Sequence, residues 1–528
     1  MRPHAAFGLL FVAAFAATLA FAWQPGVTAV TNDEVSYIAL ARMFASGEPW
    51  AHHLATFPPL FPLLLAATGS AHDLLRAHLV VAAFALAALP LLYRFALGVL
   101  ARRDAALAVV VAFLLTPAAW LAAKQILSEP AYLVVTLGAF VLVEARPVAS
   151  SRDRWILGLM LAAAVSLRTA GFALVAAYAA CVAAGAVRDR RMPRASEAIA
   201  IALPVAAAIA WIALRPLEGR DIYAINSMAF AHQWLADPIA MLGEAVGVLA
   251  AGWIALFALA TDGPPLVNTV ITVFGLLCLA GTGIRLRGNR LDGWYVVFSL
   301  ALMAPVFFGE QTARRYLYPL LPVLLVHAAV ALRDLTAGLA SLERKAAIAV
   351  AVFVPAAVSA SSLAIVVERA QDRAPVLDGF AIRWSDMFDY YAARDEADAR
   401  HGAAANAGVL AGFEAIGRAT PAGARVMWMR PEYLAVLSHR RAQPWFYADD
   451  EARLARSIEN GGVDYVALSG ITKSDLDARQ GNQAAIQQAL TRFAAPVIVI
   501  PNAVSGRDEF ILLKVDHAAV RAYLAARA

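Results

Sequence analysis

From about residue 74 to 367 the chain alternates long apolar runs with short arginine-rich segments, and this alternation limits the fold more than any other feature. A hydrocarbon core of roughly 30 Å is crossed by about 20 apolar residues in a helix. Runs at 74–99, 105–122, 130–144, 155–167, 170–187, 197–214, 264–283, 291–308, 315–332 and 346–367 predict spanning helices, and Ala5–Trp23 adds one before them. Ala20-Phe21-Ala22 mimics a signal-peptide cleavage site, so a removed leader and a retained first span are both open readings. Either one puts the residues after Trp23 outside the cytoplasm.

The arginines give the sidedness. They cluster at Arg102/Arg103, Arg146/Arg152/Arg154, Arg188/Arg190/Arg191/Arg194, Arg285/Arg287/Arg290 and Arg333/Arg344/Lys345. Lys and Arg in short loops mark the cytoplasmic side, which leaves loops 24–56, 123–129, 168–171, 215–240 and 309–315 facing out. The apolar segment 239–260 upsets this alternation if it crosses, so it is read as a helix along the outer interface or a re-entrant segment. At 61% hydrophobic and 16% charged, the chain is far from the roughly 25% charged composition of a soluble protein. The net charge of +5 therefore reports loop placement and gives no case for a nucleic-acid partner. Cys181 and Cys278 lie inside apolar runs and imply neither a disulfide framework nor a zinc site.

After residue 368 charged residues become frequent and no spanning run remains. Segments 425–429, 463–468, 495–500 and 509–515 read as strands, with helical patterns at about 386–418, 449–460 and 476–493. The expected fold is mainly α: a polytopic membrane protein of about eleven spans plus interfacial helices, with a small C-terminal α/β domain. The division is 1–370 for the membrane domain, with 24–72 as its first outer loop, and 371–528 for the extracytoplasmic domain.

Four outward segments carry candidate chemistry. In Thr31-Asn32-Asp33-Glu34, Thr31 and Glu34 match a capping box, which competes with any catalytic role for Glu34. Asp33 has no capping task, and the helix dipole favours its ionised form, as a general base for a hydroxyl or amine requires. Tyr37 follows one turn later on the same face. In Lys124-Gln125-Ile126-Leu127-Ser128-Glu129-Pro130, Ser128 and Glu129 are either helix caps or site residues at a membrane boundary. Arg168, between two apolar runs, either snorkels to the interface or binds a phosphate or carboxylate. Arg314 and Arg315 stand on the outward side against the positive-inside trend, which asks for an anion such as a lipid-linked phosphate; lipid headgroup anchoring is the plainer reading. Adjacent His52 and His53 are weak metal-ligand candidates, and no cofactor beyond an optional divalent metal is implied.

Asn32-Asp33-Glu34, Tyr37, Ala41-Arg42, Gly47 and Phe57-Pro58-Pro59-Leu60 together resemble the first outer loop of GT-C membrane glycosyltransferases. The relatives indicated are bacterial members of the protein O-mannosyltransferase superfamily, including the lipid A aminoarabinose transferase. Ser128-Glu129-Pro130, the Arg168 turn and Arg315-Tyr316-Leu317-Tyr318-Pro319-Leu320-Leu321-Pro322 resemble later blocks in the same order, and the likeness spans about residues 5–370. It implies a multi-pass protein of the bacterial inner membrane whose active site faces out. The donor would be a sugar on polyprenyl phosphate, and the acceptor a lipid, glycan or protein of the cell envelope, such as lipopolysaccharide. Asp33 would activate the acceptor in a single inverting displacement. Glu34 and Glu129 would shape the site, and Arg168, Arg314 and Arg315 would hold the lipid phosphate beside Tyr37 and Tyr318. The aminoarabinose transferase pattern has a lysine where this chain has Phe57, which leaves the donor sugar open and makes Lys124 a substitute cation. A polysaccharide ligase or polymerase shares outward arginines but gives no reason for Asp33. A lipid-linked sugar flippase or transporter predicts ionisable residues near mid-bilayer.

Overall fold

The computed structural model of the chain describes residues 3–22, 32–47, 56–145, 150–215, 222–258, 265–304, 310–338, 357–360, 362–363, 376–377, 380–381, 396–428, 431–444, 451–469 and 489–527. Packing divides it into two units, Met1–Gln24 with His53–Ala370, and Pro25–His52 with Gln371–Ala528.

Helices follow one another as α1 (Pro3–Ala22), α2 (Asn32–Ser46), α3 (Leu60–Ala67), α4 (Leu74–Leu100), α5 (Arg103–Leu114), α6 (Pro117–Lys124), α7 (Glu129–Ala145) and α8 (Ser151–Leu167). Next come α9 (Gly171–Arg188), α10 (Ala195–Leu214), α11 (Ile222–Ala236), α12 (Pro238–Phe257), α13 (Pro265–Arg287), α14 (Leu291–Met303), α15 (Glu310–Leu317) and α16 (Leu321–Leu335). All but α2 belong to the first unit.

Among the described residues six stretches are long and apolar enough to cross a membrane: α4, α9, α10, α12, α13 and the α15–α16 segment Ala313–Leu335. The pair α5 and α6, bent by 64°, makes a seventh if it counts as one span. Other expected spans are shorter helices, 17 residues in α7 and α8 and 13 in α14. The expected span at 346–367 lies mostly outside the described residues. Of the two readings for 239–260 the helical one holds: α12 is an unbroken 20-residue apolar helix of spanning length, opened by Pro238 after an Asp237 cap. Its C-terminal part is pinned to α13, where Trp253 Nε1 donates to the Ile271 carbonyl at 2.9 Å.

Helix α7 bears an ionic cluster at each end, Glu129 at its start and Glu144 fifteen residues on, about 22 Å along the axis. At the Glu144 end, Arg285 donates to both Asp292 oxygens at 2.8 and 2.9 Å and pairs with Glu144. His327 Nε2 lies 2.8 Å from Asp292, and His327 Nδ1 lies 2.9 Å from the Thr282 hydroxyl. Buried charges survive only when paired in this way, so the cluster ties α7, α13, α14 and α16 together.

Helices α13 and α16 meet closely through Gly281, where a Cβ would collide with the His327 carbonyl. Small residues permit such approach between membrane helices. Replacing Gly281 by Ala is expected to lower stability by about 1–3 kcal/mol, the usual cost of overpacking. An unchanged melting temperature in detergent would show that the contact is slack.

In the second unit, strands β1 (Val376–Leu377) and β2 (Phe380–Ala381) pair antiparallel. A five-stranded sheet is built from β3 (Arg425–Trp428), β4 (Arg441–Pro444), β5 (Tyr465–Ser469), β6 (Ala494–Pro501) and β7 (Asp508–Val515). Its order is β4-β3-β5-β7-β6, parallel across β4, β3 and β5 and antiparallel across β5, β7 and β6. Helices α17 (Glu396–Ala419), α18 (Pro431–Ser438), α19 (Glu451–Gly461) and α20 (His517–Ala525) complete the unit. Phe413 of α17 packs edge-on against Trp428 and Phe510 of the sheet, with centroids 4.9 and 5.9 Å away. Helix α2, expected in the first outer loop, packs in this unit against α18.

Candidate functional site

Three short connections of the first unit converge on Glu129. Helix α7 opens with this carboxylate in its first turn, where the helix dipole favours an anion. Helix α8 ends at Leu167, and Arg168 takes an extended conformation (φ −153°, ψ 142°) before α9 begins at Gly171. The turn is tight: Gly171 N donates to the Arg168 carbonyl at 2.8 Å. A Cβ at Gly171 would run into the backbone of Ala164, so the turn requires glycine. The third connection is α15, which leads through a short 3-10 turn, Tyr318–Leu320, into α16.

Arg168 Nη1 lies 2.8 Å from Glu129 Oε1 and donates to Ser128 Oγ at 3.1 Å. Arg315 reaches the same carboxylate oxygen with Nε and Nη2, at 3.2 and 3.1 Å. The Arg168 guanidinium also sits 5.5 Å from the ring centroid of Tyr316, within cation–π range. Glu129 and Arg168 are buried, with side chains 2% and 8% exposed, while Arg315 is 26% exposed. One guanidinium is thus sealed in and the other is open at its edge.

A second layer fixes the turn. The Tyr132 hydroxyl, one turn beyond Glu129, donates to the Ala170 carbonyl at 3.3 Å. With that proton committed, its oxygen accepts from the Tyr295 hydroxyl of α14 at 3.1 Å. Both tyrosines are buried. Glu129 and Tyr132 together hold the Arg168 turn, one through the guanidinium and the other through the backbone.

The remaining sequence candidates fall as follows. Lys124 ends α6 and is buried; its carbonyl accepts from His78 Nδ1 at 2.6 Å. Arg314 is buried beside Arg315 in sequence, and Tyr318 is buried with its ring 6.0 Å from that of Phe113. Asp33, Glu34 and Tyr37 are on α2 in the second unit, with Glu34 and Tyr37 buried and Asp33 half-buried. Thr31, His52 and His53 lie outside the described residues, which leaves the capping box and the histidine pair undescribed. Among the described residues no group of three or more His, Cys, Asp and Glu side chains is arranged to hold a metal ion. Sequence reading passed over Tyr132 and Tyr295. The i, i+3 spacing of Glu129 and Tyr132 was an available signal, whereas Tyr295 is brought in from 163 residues away.

No family model matches the sequence, and no curated protein sequence matches it. Solved structures do match. The crystal structure of ArnT from Cupriavidus metallidurans in the apo state aligns with a TM-score of 0.53 at 15% identity, over 98% of this chain and 99% of that one. This is a GT-C fold. The same ArnT bound to undecaprenyl phosphate aligns with a TM-score of 0.52 at 16% identity, over 96% of this chain and 98% of that one. The GT-C likeness runs the length of both chains, so it takes in both units of the fold.

Proposed function

We propose that this protein is a bacterial inner-membrane glycosyltransferase that moves a sugar from a polyprenyl-phosphate donor to a lipid, glycan or protein acceptor of the cell envelope. The observation that carries the reading is the convergence of Arg168 and Arg315 on one buried carboxylate at the end of an apolar helix bundle. Guanidinium forks suit a phosphate, and a lipid-linked phosphate is the form in which that anion reaches a membrane boundary. The solved GT-C protein holds undecaprenyl phosphate, which supports the same class of donor here. In this reading Arg168, Arg314 and Arg315 bind the donor phosphate, with Lys124 as a further cation. Asp33 is the general base that takes the acceptor proton, Glu34 supports it, and Tyr37 and Tyr318 contribute to the substrate sites. Displacement of the lipid phosphate in one step inverts the anomeric centre, on the outer face of the membrane. The test is mass spectrometry of envelope lipids and glycans from cells with and without the protein. A sugar missing from one acceptor supports the proposal, and identical profiles with donor lipid present refute it.

A further inference from the structure

Helix α2 carries the base candidate Asp33, and it packs within the C-terminal unit. Residues 34–43 are all buried, so the helix is covered on every face along this stretch. At 100° per residue, Arg42 lies nine positions and about 180° from Asp33, on the opposite face, whereas Tyr37 is only about 40° away.

The Arg42 side chain is buried, and its Nη1 donates to the Val436 carbonyl at 3.0 Å. Val436 is in the last turn of α18, where backbone carbonyls lack helical partners and the dipole presents partial negative charge. The neighbouring carbonyl of Ala435 accepts from His439 N at 3.2 Å, and His439 ends the helix with a left-handed φ of 54°. Helix α18 is itself held to the rest of the unit. Just after it, Arg440 donates to the carbonyls of Gly417 and Thr420 at the end of α17, the second at 2.9 Å. A continuous set of contacts therefore runs from α17 through α18 to the face of α2 opposite Asp33.

We infer that Arg42 is a positioning residue for the transfer reaction and that the C-terminal unit, through α18, is part of the apparatus that orients Asp33. The inference rests on the proposed role of Asp33. A domain that only collected acceptor would not need to clamp the back of this helix with a buried cation. The clamp fixes the rotation of α2, and with it the direction of the Asp33 carboxylate. A positioned base loses efficiency when its direction is released, even if every substrate contact survives.

The test compares Arg42→Met, Arg42→Lys and wild type as full-length protein in vesicles. Arg42→Met is expected to lower kcat by about 10²-fold, the cost of a small misplacement, with the KM for donor lipid within about twofold of wild type. Arg42→Lys, which keeps one donor for the Val436 carbonyl, is expected to recover at least a tenth of the wild-type rate. Amide exchange supplies a readout independent of activity: Arg42→Met should lose protection in 34–43 and 431–438 while α7 and α16 keep theirs. Unchanged exchange in both segments overturns the clamp, and so does exchange that rises equally throughout the chain. If wild type transfers no sugar but the exchange pattern appears, the reading of the reaction has failed and the clamp has not. A fall in kcat that Lys does not relieve overturns the positioning role.

Discussion

Replacing Asp33 by Asn is expected to slow sugar transfer by about 10²–10⁴-fold, the range a general base contributes, while donor-lipid binding stays near wild type. The change keeps the side-chain volume and removes only the proton acceptor. Asp33 sits in the first turn of α2 and is half-buried, so it is reachable by substrate in a way that buried Glu34 is not. Glu34→Gln is the necessary companion. If Glu34 serves the fold, its replacement lowers stability and leaves the rate of the folded fraction nearly intact; if it is the base, the two outcomes exchange. Steady-state rates with a saturating polyprenyl-phosphate sugar separate these cases, and an Asp33→Asn rate within tenfold of wild type removes Asp33 from the base role.

The parts of this molecule that could be read in advance are those governed by local pattern. Apolar length announces a membrane bundle; Arg168 stands out because it interrupts two apolar runs, and Arg315 because it runs against the expected positive-inside trend, and the two converge on Glu129. Strands β3, β5, β6 and β7 followed from short β-branched and apolar runs. Strand β4 was missed because Arg441-Ala442-Gln443-Pro444 has no apolar signature, as suits a short edge strand ending in proline. For segment 239–260, loop parity separates a crossing helix from one lying along the interface, and the unbroken 20-residue apolar helix found there agrees with the helical alternative whichever way it lies. Pairings across long separations were invisible. Tyr132 with Tyr295, Arg285 with Glu144, and Arg42 with Val436 depend on tertiary packing that no spacing encodes.

Glu129→Gln should be among the most damaging single changes in the helix bundle, costing about 3–5 kcal/mol, the range for breaking a buried ion pair by removing one partner. Arg168 and Arg315 share the Glu129 Oε1 atom at 2.8 and 3.1 Å. A neutral amide leaves the two guanidiniums facing each other across a group that no longer offsets either charge, and Arg168 is too buried for water to do so. Glu129→Asp keeps the charge on a shorter stem and is expected to fall between the two. Denaturation of the purified protein in detergent measures the loss, and added inorganic phosphate or undecaprenyl phosphate gives it functional meaning. An anion that binds between the arginines takes over part of the missing carboxylate's role, so it should raise the melting temperature of Glu129→Gln more than that of wild type. Stabilisation by the lipid phosphate well beyond that by inorganic phosphate at equal concentration would mark the cluster as a lipid-phosphate site. Equal, small effects on mutant and wild type would mean that Glu129, Arg168 and Arg315 serve the bundle as a structural tie.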